Sequence, residues 1–337
     1  MTSVPGNIGL RLANQFDRVV RREESQHISL AGHSIELRHS SPLSQEAFGT
    51  AFSHLATGPS AADAVFRIGL GEGFFEGDRA LAELVGRPAE SDGLRITEIG
   101  ATSLMVEHAG IVWWDSRNWQ GGTWLWSESP ELARRASPLL NLVDVWGASV
   151  DLPVVHCAAV GTPEKMIVLG APGGSGKSTL AVAALQRGMA FCGDDYCLID
   201  SGEAGPATVH SLFATAKLDG ASQALVPDSA DFRRLSGLAE NGRSVLELSE
   251  HPGVVRSGEV VSVVTPRRVS GAESRLVEVS AGEALRSTAV TSAMLLPYSR
   301  PLVLGRVAAM CRSVPCYRLE IGNDLGAAVE TIETLLT

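Results

Sequence analysis

The segment GAPGGSGKST, Gly170–Thr179, lies between a run of aliphatic residues and an alanine-rich run. Before it, Met166–Leu169 has the composition of a short buried strand. After it, TLAVAALQ is typical of a helix, which we place at Ser178–Gln186 with Gly188 as its terminal glycine. A strand, a glycine-rich turn and a helix in this order predict a loop that binds the phosphates of a nucleotide.

The residue types of this segment suit phosphate binding. Its glycines let successive backbone N–H groups converge on phosphate oxygens, and the following helix points its positive end at the same anion. In a solvent-reached loop, Lys177 is expected to contact the β- and γ-phosphates and Ser178 to bind Mg²⁺. The strict pattern G-x-x-x-x-G-K-[ST] has glycine where this chain has Ala171, a small residue that the position tolerates. The predicted nucleotide-binding residues are Ala171, Pro172, Gly173, Gly174, Ser175, Gly176, Lys177, Ser178 and Thr179. The alternative is a glycine-rich turn with a solvated lysine.

Two adjacent carboxylates follow the predicted loop. Asp194 and Asp195 end a short apolar strand, Met189–Cys192, 17 and 18 residues after Lys177. Phosphoryl transfer to a hydroxyl needs one carboxylate for Mg²⁺ and another to accept the hydroxyl proton. A strand running beside the loop strand would bring both aspartates over the phosphates, and their mutual repulsion would raise one pKa. Without the loop, Asp-Asp at a strand end would be interpreted as a polar turn.

His156 is an upstream candidate for the same site. It lies within the apolar sequence VVHCAAV, 21 residues before Lys177. Taken alone, a histidine in an apolar strand is usually a core residue with satisfied hydrogen bonds.

The composition is that of a soluble globular protein with about two domains, since 45% of the 337 residues are hydrophobic and 20% are charged. A net charge of −10 argues against non-specific nucleic-acid binding. No apolar run approaches the roughly 20 residues of a membrane span, and the N-terminal residues lack the apolar region of a signal peptide. We therefore expect a cytoplasmic protein that binds neither nucleic acid nor membrane.

The pattern changes near the middle of the chain, which divides it into an α+β domain at residues 1–148 and an α/β nucleotide-binding domain at 149–337. In the first domain, we predict strands at His33–His39, Ala64–Leu70 and Leu94–Gly100 and a helical stretch at Gln45–Thr57. In the second, we predict strands at Leu152–Val160, Glu259–Thr265 and Cys316–Ile321 and helices at Ala281–Met294, at Pro301–Arg312 and from Asp324 onwards.

All six tryptophans lie within residues 113–146. The turn Gln120–Thr123 between aromatic runs predicts a hairpin, and Pro130–Gly147 is typical of a helix. A tryptophan cluster is either a substrate platform or the core of a small sheet, and we favour the core. Because residues 149–337 show no acceptor groove, the first domain is the candidate for acceptor recognition.

The five cysteines include two pairs with equal spacing, Cys192 with Cys197 and Cys311 with Cys316. No CxxC or Cys/His pattern with zinc-ligand spacing is present. We interpret these residues as core thiols, because cysteine is a common small buried residue.

His156, the loop Ala171–Ser178 and the pair Asp194-Asp195 together resemble the catalytic domain of the HPr kinase/phosphorylase family. In that family, a strand with a histidine precedes the phosphate loop by one hairpin, and an Asp-Asp pair follows the loop helix at the end of the next strand. The spacing agrees without gaps, and the resemblance is specific over residues 156–195.

The resemblance implies a nucleotide-binding fold of the phosphoenolpyruvate-carboxykinase type, ATP with Mg²⁺, and phosphorylation of a serine hydroxyl. By position, it implies Asp194 as the general base and Asp195 as a metal-side carboxylate. Ser178 would be a Mg²⁺ ligand, Lys177 a phosphate clamp, and His156 a group near the transferred phosphoryl. It also allows a homo-oligomer.

The chain departs from the family downstream and at its N-terminus. The Glu-x-Arg-Gly signature is missing, and the nearest counterpart is the segment 215–219, in which Lys217 supplies a positive charge. The chain looks more like divergent relatives of the family, some of which modify serines of small biosynthetic peptides. The expected acceptor is therefore a serine hydroxyl of a peptide or protein. The alternatives are a kinase for a small molecule such as free serine or a sugar, and a nucleotide-sensing regulator with little catalysis.

Overall fold

The computed structural model of the protein describes residues 7–19, 25–86, 93–127, 135–201, 205–223, 232–235, 242–271 and 273–337. The chain divides into two compact units, Met1–Ser149 and Val150–Thr337. Both units combine helices with mixed sheets, so the protein is a mixed α/β protein. None of the helices in the described part of the chain is long and apolar enough to cross a membrane.

The first unit is built on an eight-stranded sheet with the order β3-β1-β2-β4-β8-β7-β6-β5. Its strands are β1 (Ser25–Leu30), β2 (His33–His39), β3 (Ala56–Thr57), β4 (Ala64–Leu70), β5 (Arg95–Ile99), β6 (Thr102–Glu107), β7 (Gly110–Asp115) and β8 (Gln120–Leu125). Its helices are α1 (Ile8–Val19), α2 (Pro42–Phe48), α3 (Arg79–Val85) and α4 (Leu140–Ser149). The predicted strands are confirmed, and α2 with a 3₁₀ turn at Thr50–Leu55 forms the predicted helical stretch.

The tryptophans form part of the core of the first unit. Five of the six are buried, and only Trp119, in the turn between β7 and β8, is exposed. The hairpin is confirmed, but the predicted turn is wrong, because Gln120–Thr123 belongs to β8. Gly121 and Gly122 allow β8 to pack closely against Trp113, since a Cβ at Gly121 would lie 2.6 Å from the Trp113 carbonyl oxygen. The start of the predicted helix Pro130–Gly147 lies outside the described residues.

The described part of the second unit forms two sheets. Its strands are β9 (Val154–Val155), β10 (Ala158–Gly161), β11 (Lys165–Leu169), β12 (Ala190–Gly193), β13 (Cys197–Asp200), β14 (Thr208–Ser211), β15 (Thr215–Leu218), β16 (Arg233–Arg234), β17 (Ser244–Glu247), β18 (Ser257–Arg268), β19 (Arg275–Glu278) and β20 (Cys316–Ile321). Its helices are α5 (Lys177–Gln186), α6 (Gly220–Gln223), α7 (Ala281–Leu295), α8 (Arg300–Ser313) and α9 (Leu325–Glu333). The predicted helices of this unit are confirmed. The predicted strand Leu152–Val160 is wrong as a single strand, because β9 and β10 are separate and pair with different neighbours.

The main sheet of this unit has nine strands in the order β12-β10-β11-β18-β14-β13-β9, with β20 beside β18 and β19 beside β20, and the smaller sheet has the order β15-β17-β16. Strand directions explain why distant segments meet at one edge of the main sheet. The strands β11, β18 and β20 are parallel neighbours, so their carboxyl ends point the same way. β10 is antiparallel to both β11 and β12, so β12 also ends at this edge, while β10 begins there. In sheets of this kind, ligands bind beyond the carboxyl ends of the strands. The expectation that the aspartate strand lies directly beside the loop strand is wrong, because β10 lies between β12 and β11.

Candidate functional site

The glycine-rich segment forms a tight loop between β11 and α5. Gly174 has φ +80° and Gly176, which caps α5, has φ +97°, so both need the left-handed conformation that glycine adopts most readily. The φ of Ala171 is not positive, which explains why alanine fits at this position. Backbone N–H groups at the start of α5 therefore face the site, as phosphate binding requires.

Lys177 is buried within the loop that it follows. Its exposed fraction is 5%, and its Nζ donates to the carbonyl oxygens of Ala171 at 2.5 Å and Pro172 at 3.2 Å. Burial lowers the pKa of Lys177, and the charges of Asp194 and Asp195 oppose that shift. The expectation of a solvent-reached lysine is therefore wrong for this conformation, in which the ammonium group lines the loop from inside.

Asp194 is buried at the end of β12, with an exposed fraction of 1%. One carboxylate oxygen accepts a hydrogen bond from the backbone N–H of Lys217 at 3.3 Å, and the Ser178 hydroxyl lies next to the carboxylate and favours its charged form. The other oxygen, Oδ1, has no partner among the described residues. Burial, and after it the charge of Asp195, raise the pKa of Asp194 to about 6.

Asp195 points into a cleft lined by the loop and is held by two neighbouring groups. Its Oδ1 lies 3.1 Å from Nε2 of His156, and its Oδ2 accepts a hydrogen bond of 2.7 Å from Nζ of Lys217. Burial would raise the pKa of Asp195, but the His156 hydrogen bond and the Lys217 charge outweigh it and hold that pKa below its usual range. Asp195 is therefore ionised at neutral pH, and its two contacts hold the carboxylate in one orientation.

His156 lies between β9 and β10, at the edge where the loop begins. Its backbone N–H donates to the Ser292 hydroxyl on α7 at 2.8 Å, and its ring packs edge-on against Tyr196. His156 is 7% exposed, and its Nε2 faces Asp195. His156 is thus part of the site, which a histidine taken alone does not indicate.

Besides Lys177, three cationic residues line the polar cleft around the loop, and the cleft has a volume of about 90 Å³. Lys217 comes from β15, Arg243 from the residue before β17, and Arg268 from the end of β18. Asp219 also lines the cleft. Sequence reasoning identified Lys217 but missed both arginines. Arg268 is at the carboxyl end of an apolar strand, so its position in the sequence indicates this edge of the sheet. Arg243 reaches the cleft because β17 pairs with β15, and the sequence does not predict that pairing.

The arrangement fits a divalent cation at Ser178 and Asp194. The buried Oδ1 of Asp194, which has no partner among the described residues, and the nearby Ser178 hydroxyl are two hard oxygen donors. Mg²⁺ usually takes few protein ligands and completes its coordination shell with water and phosphate oxygens. Among the described residues, no cluster of three or more His, Cys, Asp or Glu side chains could hold a metal ion. All five cysteines are buried free thiols, as the sequence analysis predicts.

Comparisons with known proteins find similarity among solved structures, in 90 chains. No protein-family model matches the sequence, and no match is found among curated proteins. Among solved structures, the HPr(Ser) kinase/phosphatase from Coxiella burnetii aligns with 54% of this chain and 87% of its own, at 14% identity and a TM-score of 0.28. A similarity of this size supports no conclusion about the activity of this chain.

Proposed function

We propose that this protein is an ATP-dependent kinase that transfers the γ-phosphoryl group to a serine hydroxyl of a peptide or protein. We further propose that the second unit has the phosphoenolpyruvate-carboxykinase type of nucleotide fold. One observation carries the proposal: the phosphate loop with Lys177 opens onto a cleft that also contains Asp195, which His156 and Lys217 hold in place. A loop that only bound phosphate would need no oriented carboxylate beside it.

In this proposal, the loop N–H groups and Lys177 bind the β- and γ-phosphates. Ser178 and Asp194 would hold Mg²⁺, which neutralises phosphate charge when bound. The acceptor hydroxyl reaches the γ-phosphorus from the side of Asp195. A bond forms between the serine oxygen and phosphorus, the bond from phosphorus to the bridging oxygen of ADP breaks, and the hydroxyl proton passes to Asp195. Lys217 and Arg243 stabilise the charge on the transferred group.

This assignment exchanges the roles that the sequence analysis gives to the two aspartates. Asp195 lines the cleft, whereas Asp194 is buried beside Ser178, so their contacts favour Asp195 for the acceptor and Asp194 for the metal. Burial of Asp194 next to another carboxylate raises its pKa, and a bound divalent cation would reverse that shift. His156 and Lys217 hold the pKa of Asp195 low in the free site, and the negative charge of a bound γ-phosphate would raise it towards that of a proton acceptor.

The first test is nucleotide binding by isothermal titration calorimetry with Mg²⁺. Lys177→Ala should weaken ATP binding by about 10- to 100-fold, since a hydrogen bond to a charged group contributes about 1.5–3 kcal/mol. Lys165→Ala, at an exposed position on β11, is the matched control and should bind as the unchanged protein does. If Lys177→Ala binds ATP normally, the phosphate-loop interpretation is wrong.

The second test identifies the acceptor class. The protein is incubated with γ-labelled ATP, Mg²⁺ and either a serine-containing peptide library, free serine or a set of sugars. Label in phosphoserine of peptides supports the proposal. Label only in free serine or a sugar identifies a small-molecule kinase, and ATP binding without any transfer identifies a nucleotide-sensing regulator; either result overturns the proposed acceptor.

A further inference from the structure

A second and larger cavity adjoins the phosphate cleft in the second unit. Its volume is about 680 Å³, within the roughly 300–1,000 Å³ of small-molecule sites. Gly176, Thr179 and Arg268 line both this cavity and the cleft, whereas His156, Lys217 and Asp195 line only the cleft. The two spaces therefore adjoin at the start of α5, and the aspartate pair does not line the larger one.

The walls of this cavity come from the same edge of the main sheet. β18 ends in Arg268 and is followed by Val269, and β20 ends in Ile321 and is followed by the turn 322–324, which leads into α9. The Val269 N–H donates to the Ile321 carbonyl at 3.0 Å, which fixes the two chain segments side by side. Leu325, in the first turn of α9, adds a third aliphatic side chain.

The lining has the character that a nucleoside needs. Val269, Ile321 and Leu325 offer aliphatic surface for the faces of a planar base. Asn323 and Asp324 supply polar groups for base edges and ribose hydroxyls, and one oxygen of Asp324 also accepts the Ala327 N–H at the start of α9. Arg268 lies over the loop, since its Nε would be 3.5 Å from a Cβ at Gly176. It therefore occupies the junction between the polar cleft and the apolar cavity.

We infer that this cavity binds the base and ribose of the nucleotide, with Arg268 at the α-phosphate. The inference rests on the proposed function. A triphosphate that places its γ-phosphorus beside Asp195 and Lys217 runs back along the loop towards Gly176 and Thr179, and the nucleoside must continue from there. The larger cavity begins at those two residues.

The test compares ADP with inorganic tripolyphosphate, which has no nucleoside. Val269→Trp places an indole in the cavity and leaves the loop unchanged. ADP should bind at least about tenfold more weakly to this variant, a loss of about 1.4 kcal/mol, whereas tripolyphosphate should bind as before. Leu304→Trp, at an exposed position on α8, is the matched control and should bind both probes normally. Titration calorimetry measures the affinities of the unchanged protein and both variants for each probe.

Leu325→Trp is a second variant, which fills the cavity from α9. It is used instead of Val269→Trp if the Val269→Trp variant does not bind tripolyphosphate. ADP affinity that is unchanged in a variant with normal tripolyphosphate binding would overturn the inference and leave the kinase proposal standing. Equal affinity of the unchanged protein for ADP and tripolyphosphate would overturn it too, because the nucleoside would then contribute nothing. If the unchanged protein binds neither probe, the proposed function fails as well.

Discussion

Asp195 is the residue at which backbone conformation and side-chain chemistry are most closely linked. Its φ of +69° lies in the left-handed region, which asparagine and aspartate adopt more readily than most residues. Such conformations cost of the order of 1–3 kcal/mol and are retained where the surroundings fix them. Here the turn directs Asp194 inwards to Ser178 and Asp195 outwards to the cleft, so two neighbouring carboxylates reach different environments.

The two aspartates should therefore give different phenotypes when each is changed to asparagine. Asp194→Asn removes a charge beside Ser178, so ATP binding should lose its dependence on Mg²⁺. Asp195→Asn keeps a residue that tolerates positive φ, and it should lower kcat by about 10²–10⁴-fold, the range for loss of a general base, with little change in ATP affinity. Calorimetry at varied Mg²⁺ and phosphoryl-transfer kinetics measure the two effects. The reverse pattern would restore the assignment made from the sequence.

At the scale of elements, α7 supports both the phosphate loop and the histidine. Thr288 and Ser292 are four residues apart, so they lie on one face of the helix. Both are buried; Ser292 accepts the His156 backbone N–H, and Thr288 packs against Gly170 at the start of the loop. The helix thus fixes the distance between the loop and the histidine, although it contributes no lining residue to the cleft.

Gly170→Ala should disturb this support. A Cβ at Gly170 would lie 2.0 Å from the Thr288 Oγ1 and 2.7 Å from its Cβ, so the loop or α7 must shift. We expect a loss of about 1–3 kcal/mol in the free energy of unfolding, as for overpacking elsewhere. Gly173→Ala is the matched control, since a Cβ there meets nothing within 4 Å and its φ is not positive, and it should change stability by less than about 0.5 kcal/mol.

The free energy of unfolding of the two glycine variants is measured by the reactivity of their thiols in increasing denaturant. All five cysteines are buried in the second unit, so their labelling reports its unfolding. Equal stability of the two glycine variants would show that the contact between Thr288 and Gly170 relaxes without cost.

At the scale of the whole molecule, the residues proposed for nucleotide chemistry all lie within Val150–Thr337. That unit has its own buried clusters, which include the strands of the main sheet and helices α5 and α7 to α9. The first unit has a separate core around its tryptophans. Domains with separate cores can in principle fold alone, so the two units should be separable.

The fragment Val150–Thr337 should therefore bind ATP with an affinity within about threefold of that of the full chain. It should fail to phosphorylate a peptide or protein acceptor, because acceptor positioning supplies much of the rate of phosphoryl transfer and we assign that task to the first unit. Calorimetry with ATP and transfer of label to the acceptor test both parts. Full acceptor activity of the fragment would remove the first unit from substrate recognition.

The sequence by itself determined the local features of this protein. The order of an apolar strand, glycines and an alanine-rich helix predicts the loop at Gly170–Thr179, because each part follows from short-range steric and hydrogen-bonding preferences. Periodic and apolar patterns likewise predicted most of the helices and about half of the strands, whereas β1, β6 and β13 to β17 were not predicted. The tryptophan core followed from the large area that such side chains bury.

Only the tertiary structure decided which residues meet at the site. Strand order cannot be derived from local preference, so the separation of β12 from β11 by β10 was not foreseen, nor was the entry of Arg243 and Arg268 into the cleft. The different surroundings of Asp194 and Asp195 arise from one left-handed residue and from Lys217, 22 residues beyond Asp195. Burial of Lys177 and the cavity beyond Gly176 also depend on contacts between segments far apart in the chain. These features arise from long-range packing, which short sequence patterns do not encode.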